Sequence, residues 1–224
     1  NEYQKLFYDF DQQMSEANFK KNFWIPALKA KIGTIKNWLK DKSKSTDEEI
    51  ANDLSTLRNE LNKENELFED LTFDSIDELN VENVTEETME EVSLHLSTLN
   101  KVYIRQYNAN SDQKDAIIRE IQSTEEDKEA FNQLRDEYEN ESLSDLVTNK
   151  TEFNQISEYY GELIQRADPV YNIPRGNGSH FYTPVKKFFG QVYSTKTANV
   201  AVLWFMSILL MISLYFDLFL KLLN

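Results

Sequence analysis

His95 and His180 are the two histidines of this 224-residue chain, and Glu48 with Glu49, Glu86 with Glu87, and Glu125 with Glu126 are among its paired acids. Histidine could carry a proton near neutral pH or ligate a metal, and adjacent carboxylates could divide general acid and base roles. Neither constellation is completed by its surroundings. His95 falls among core-spaced apolar residues and His180 in a turn-rich stretch, so nothing in the spacing joins them in a zinc site. These three pairs stand at helix starts, where capping and the helix dipole account for them. The only Gly-rich stretch, Arg175-Gly176-Asn177-Gly178-Ser179, lacks the strand-to-helix context and the lysine of a phosphate loop. No cysteine is present, which removes disulfides, thiolate nucleophiles and Cys-ligated metals together. The expectation is a chain with no catalytic residue, no cofactor and no metal, and hence no enzyme in its own right. Four Asn-x-Ser/Thr triplets begin at Asn83, Asn140, Asn149 and Asn177, a number chance supplies in a chain this rich in those residues.

The chemistry that the sequence does carry is that of a bilayer. Residues 200–216 read VAVLWFMSILLMISLYF, 17 residues without a charge, and Leu218, Phe219, Leu220, Leu222 and Leu223 extend the run. At about 1.5 Å per residue the uncharged part covers roughly 25 Å, and the extension reaches the roughly 30 Å of a hydrocarbon core. A core helix of a soluble protein keeps one polar stripe, and this segment shows none. The candidate membrane-interface residues are Lys186, Lys187, Phe188 and Phe189 before the span, Trp204 within it, and Asp217 and Lys221 at its exit. Rings and ammonium groups both suit the headgroup layer. Asp217 and Lys221 stand in the i, i+4 order that favours an ion pair. A carboxylate at mid-membrane costs about 2.5–3.5 kcal/mol but far less near the interface, so the pair marks where the helix leaves the hydrocarbon.

The elements in front of this span are polar. Mean hydropathy over the chain is −0.60 and net charge −15, with residues 46–168 at net −23 and the flanks 1–45 and 169–224 at net +4 each. The acidic middle repels phosphates, which argues against nucleic-acid binding. Apolar residues step at three and four: Ile25, Leu28, Ile32, Ile35 and Leu39 behind Pro26; Ile50, Leu54, Leu57 and Leu61 behind a Thr46-to-Glu49 capping box; Met89, Val92, Leu96, Leu99 and Tyr103 behind Thr85. Ile117, Ile118 and Ile121 predict a shorter helix after Ser111. Phe131, Leu134 and Tyr138 predict another, capped by Ser123 and Glu126, and Phe153, Ile156, Tyr160 and Leu163 a last one. SKST and NANSD read as connecting turns, and no segment reads as a strand. Three of the four prolines fall between 169 and 184, in a linker.

The sequence thus predicts an all-α fold: an acidic multi-helix bundle, then a linker, then one C-terminal transmembrane helix. Its boundaries are a helical domain over 1–167, a Pro/Gly linker with a basic aromatic interfacial segment over 168–194, and the transmembrane helix over 195–224. The first residue is Asn, and NEYQKLFYDF lacks the basic start and apolar run of a signal peptide. A processed chain or a piece of a longer protein is expected.

HFYTPVKKFFG and, after a short spacer, NVAVLWFMSILLMISLYFDLFLKLLN resemble the carboxyl-terminal end of large ATP-binding-cassette transporters of Bacteroidota bacteria, whose permease part is similar to the White/pigment (G-type) exporters. NEYQKLFYDFDQQMSEANFKKNFWIPALKAK resembles the segment after the fifth span of those proteins, and NESLSDLVTNK looks like part of the same region. The resemblance implies a permease fragment: an extracytoplasmic helical domain between the fifth and sixth spans, joined to the sixth. Transport would be powered by an ATPase domain outside this chain, since no nucleotide-binding motif lies within it. Implied partners are the lipid bilayer, the remaining spans and ATPase domain of the parent transporter, and a second copy in a homodimer. Implied localisation is the bacterial inner (plasma) membrane with the soluble part extracytoplasmic.

Local charge points the other way. Lys186, Lys187 and Lys196 precede the span and Lys221 follows it, so the positive-inside rule places the body in the cytosol. In a multispan protein earlier helices settle orientation, which favours the side the family implies. The alternative is a tail-anchored acidic helical adaptor that binds a basic protein partner.

Overall fold

The computed structural model describes residues 2–138, 140–149, 151–171, 185–188 and 191–215. The chain divides into two compact units, Asn1–Asp168 and Pro169–Asn224. The fold class is all-α, a helical bundle followed by one apolar helix.

In the first unit, α1 (Glu2–Phe19), a π-helical turn (Lys20–Trp24) and α2 (Ile25–Lys40) form one unbroken helix, since Phe19, Trp24 and Ile25 all keep right-handed helical angles. Pro26 falls in the first turn of α2, as the spacing predicts, but that turn continues a helix already under way. The wide turn supplies the reason. A proline in a regular helix loses its amide hydrogen bond and drives its ring into the carbonyl four residues back. Here the amide of Ile25 reaches back five residues to the Lys20 carbonyl, which widens the helix just ahead of the ring.

The core stripes expected from spacing are buried. They comprise Ile25, Leu28, Ile32 and Ile35 on α2, Ile50, Leu54, Leu57 and Leu61 on α3 (Asp47–Leu67), and Met89, Val92, Leu96, Leu99 and Tyr103 on α4 (Glu86–Ile121). On α2, Trp38 takes the buried place expected of Leu39, which is half-buried. Full burial of such a side chain stabilises by roughly 1.5–3 kcal/mol. The α3–α4 connection adds Phe73, Leu79 and Val84 to the same core, and the Asn65 amide holds it there by pairing with both the Phe73 N–H (2.9 Å) and the Phe73 carbonyl (3.0 Å). Thr46 and Glu49 form the capping box expected of α3, and Thr85 caps α4 by accepting from the Thr88 amide at 3.1 Å.

Three local readings are corrected. NANSD is no turn: α4 runs through it for 36 residues, and Asn110 is buried with its amide donating to the Gln106 carbonyl at 2.8 Å. That bond removes the competition with the backbone that makes Asn a turn former. α5 (Glu125–Tyr138) is capped by Thr124, whose hydroxyl accepts the Asp127 amide at 3.1 Å, one residue beyond the predicted Ser123 cap. Residues 153–163 are not helical. After α6 (Glu141–Thr148), β1 (Ile156–Tyr159) and β2 (Glu162–Gln165) pair antiparallel with Ile156 opposite Gln165. Their two-residue loop, Tyr160 and Gly161, has φ of 50° and 69°, the left-handed pair that a tight hairpin requires. Asn140 and Asn149, each the start of an Asn-x-Ser/Thr triplet, are the N-cap and the left-handed C-cap of α6.

The second unit holds another hairpin where a linker was expected. β3 (Val185–Phe188) and β4 (Gln191–Ser194) pair with Lys186 opposite Tyr193. They lead without a break into α7 (Thr195–Tyr215).

Candidate functional site

α7 carries the feature with the clearest physical consequence. Its 21 residues span roughly 31 Å at about 1.5 Å each, and it is the described helix long and apolar enough to cross a membrane, with only 6 % of its apolar window buried. Large side chains stand exposed on every side, from Leu203 and Trp204 to Leu214 and Tyr215. In water such a surface is costly, whereas in lipid it is the required one, because the helix already satisfies its own backbone. By length and composition this helix is a candidate membrane span.

The predicted interface residues gather unequally around it. Lys186 is half-buried on β3, and its Nζ donates to Asn199 Oδ1 at 2.9 Å, tying the hairpin to the start of α7. Lys187 and Phe188 follow on the same strand. Trp204 stands 67 % exposed on α7. Phe189, Asp217, Lys221 and His180 lie outside the described residues. Ser194 ends β4 and caps α7, its Oγ accepting the Thr197 amide at 3.2 Å. Ala198 is buried beside the hairpin.

A second cluster, in the first unit, was not anticipated from sequence. Lys20, in the π-helical turn, is 5 % exposed at its side chain and pairs with Glu64, which is 0 % exposed. The Tyr103 hydroxyl donates to the other oxygen of the same carboxylate. One helical turn away, Glu60 Oε2 accepts from the Trp24 indole at 2.6 Å, while its Oε1 accepts from Lys63 Nζ at 2.8 Å and from the Leu163 amide of β2 at 3.0 Å. Lys20 Nζ also lies 3.9 Å from the Trp24 ring centroid, a desolvated cation–π contact. These donors neutralise two buried carboxylates that would otherwise be prohibitive. The signal was present in the spacing. Glu64 continues the Ile50, Leu54, Leu57, Leu61 stripe by three residues, and a charge on an apolar stripe demands a buried partner.

His95 sits at the edge of this region, its ring 5.6 Å from Phe73 and its Nε2 buried without a hydrogen-bond partner among the described residues. Burial pushes its pKa below the usual histidine value, and the Glu64 charge opposes that only in part. The β1–β2 hairpin is clamped over α2 and α3 by Lys31, which reaches Asp53 at 2.7 Å and Glu158 at 2.8 Å. Burial disfavours the Lys31 ammonium, but its bonds to both carboxylates outweigh this and raise its pKa. Burial likewise works against the Glu158 carboxylate, yet Lys31 and Thr56 hold its pKa below the usual range. The arrangement can lock helices and hairpin together. Among the described residues no group of three or more acids and histidines is placed to hold a metal ion. No protein family, curated protein or solved structure matches this chain.

Proposed function

We propose that this chain is a permease segment of an ATP-binding-cassette exporter: a helical extracytoplasmic domain attached to a final transmembrane span, in a bacterial inner membrane. The observation that carries the membrane part is α7, apolar on all sides, 6 % buried and joined directly to a lysine-bearing hairpin. The transporter part rests on the resemblance of both ends of the chain to G-type permeases. On this reading ATP is hydrolysed by a domain outside the chain. The bundle contributes a rigid exit-side body, with its charges paired inside and its acidic helices in solvent.

Side-specific labelling tests this. The absence of cysteine gives a clean background, and Gln133 is an exposed position on α5. A Gln133→Cys chain should react with a membrane-impermeant maleimide once the outer membrane is permeabilised. An Asn224→Cys chain should stay protected until the inner membrane is breached. Lys186, Lys187 and Lys196 ahead of the span favour a second reading, a tail-anchored acidic adaptor facing the cytosol. The reverse labelling pattern would establish that reading and sink the first.

A further inference from the structure

The β3–β4 hairpin and the first turn of α7 form one collar at the mouth of the span. No residue separates β4 from α7, and three contacts fix the angle between them: the Ser194 cap at 3.2 Å, the Lys186 bond to Asn199 at 2.9 Å, and the burial of Ala198. Lys186 is therefore held against α7 rather than on a loose tether. Lys186 is paired in register with Tyr193, and directly opposed residues share a face of the hairpin, so an ammonium and a 42 % exposed phenol stand side by side. Both are headgroup-layer residues.

Charge on this segment is one-sided. From residue 169 to residue 216 the sequence holds Arg175, Lys186, Lys187 and Lys196 and no acid, whereas residues 1–168 sum to net −19. Lys196 occupies the first turn of α7, which has no acidic residue. A cation there opposes the helix dipole, so an anion supplied from outside the chain would stabilise the turn as well as the lysines. A zwitterionic lipid brings its own ammonium along with its phosphate and offers little net gain. An anionic lipid offers the phosphate alone.

We propose that this collar selects anionic phospholipid headgroups from the leaflet that α7 enters. The proposal rests on the reading of α7 as a span. The lipid is preferred over the acidic surface of the chain's own bundle because the collar is built onto the span itself, where headgroups are at the highest local concentration.

Tryptophan quenching tests it in the full chain. Trp24 and Trp38 are 0 % and 1 % exposed inside the bundle, while Trp204 is 67 % exposed on α7, so bromine on lipid acyl chains quenches Trp204 selectively. The chain is reconstituted in phosphatidylcholine vesicles containing brominated phosphatidylglycerol or, separately, brominated phosphatidylcholine. The expected result is an enrichment of phosphatidylglycerol around Trp204 of about three-fold at low salt, falling toward one as salt rises. Lys186→Gln/Lys187→Gln/Lys196→Gln should abolish it. Equal quenching by the two lipids, or a preference that survives high salt and the triple substitution, overturns the proposal. A preference untouched by the triple substitution alone overturns it too, because the lysines would then not be its source. No quenching by brominated phosphatidylcholine at all would show that Trp204 is not among acyl chains, and would remove the membrane-spanning reading itself.

Discussion

Lys20→Met should be among the most destabilising single substitutions in the bundle. The side chain is 5 % exposed and its partner Glu64 is 0 % exposed, so removing the ammonium strands a carboxylate in the core with the Tyr103 hydroxyl as its remaining donor in this cluster. Breaking a buried pair from one side costs about 3–5 kcal/mol, a large share of the 5–15 kcal/mol that stabilises an ordinary domain. With a urea dependence of about 2 kcal/mol/M, the midpoint should fall by roughly 2 M. Urea unfolding of the full chain in mild detergent, followed by circular dichroism at 222 nm, measures this, with α7 in its micelle adding a constant background. The diagnostic is the double variant Lys20→Met/Glu64→Leu, which removes both charges and should recover at least about 2 kcal/mol of the loss. A single substitution costing less than about 1 kcal/mol would refute the reasoning, as would a double variant equal to the sum of the singles.

Two further outcomes follow from the same region. Because burial lowers the His95 pKa below its unfolded value, the unfolded chain binds more protons between the two values, so stability falls as pH drops from 7 through the usual histidine range. Asp168, whose carboxyl burial and Asp11 hold up despite its bond from Ser15, contributes the opposite slope. The test is therefore the pH 5–8 profile of His95→Leu against the parent: the variant should lose part of the acid sensitivity, and an unchanged profile removes His95 as its source. At the β1–β2 loop, Gly161→Ala places a Cβ at φ +69° and 3.2 Å from Asn59 Nδ2, and should cost about 1–2 kcal/mol. Tyr160→Asn, at φ +50°, should be neutral or stabilising in the same urea assay.

What could be read from the sequence tracks how local each signal is. The apolar stripes of α2, α3 and α4 were legible because burial repeats at the helical period, and the caps at Thr46 and Thr85 because they involve neighbours three residues apart. The hairpins were hidden. Tyr160 occupies a loop position where Asn would announce a tight turn, and Phe153, Ile156, Tyr160 and Leu163 happen to step at helical intervals, although Phe153 is 95 % exposed and Leu163 packs on the core. NANSD misled for the converse reason, since burial of Asn110 in α4 overrides its turn preference. Apart from the i, i+3 pair of Lys63 with Glu60, the polar cluster joins residues 36 to 103 positions apart, such as Trp24 with Glu60 and Leu163 with Glu60, and no window along one chain brings those together. The apolar helix needed no partner to be seen, whereas the bond that ties Lys186 to Asn199 could not be read from the sequence.

The π-helical turn at Lys20–Trp24 also changes how the first 40 residues can be aligned or redesigned. One extra residue in a turn advances every later side chain by about 100° relative to a regular helix. A helical wheel drawn at a single period over α1 and α2 thus misassigns one half of the helix to the wrong face. Repair by deleting a residue would restore regular winding but carry Lys20 away from Glu64 and bring back the collision at Pro26. Relatives of this chain should therefore keep or lose the proline and the extra residue together, and an alignment gap placed in this stretch would be a physical event rather than noise.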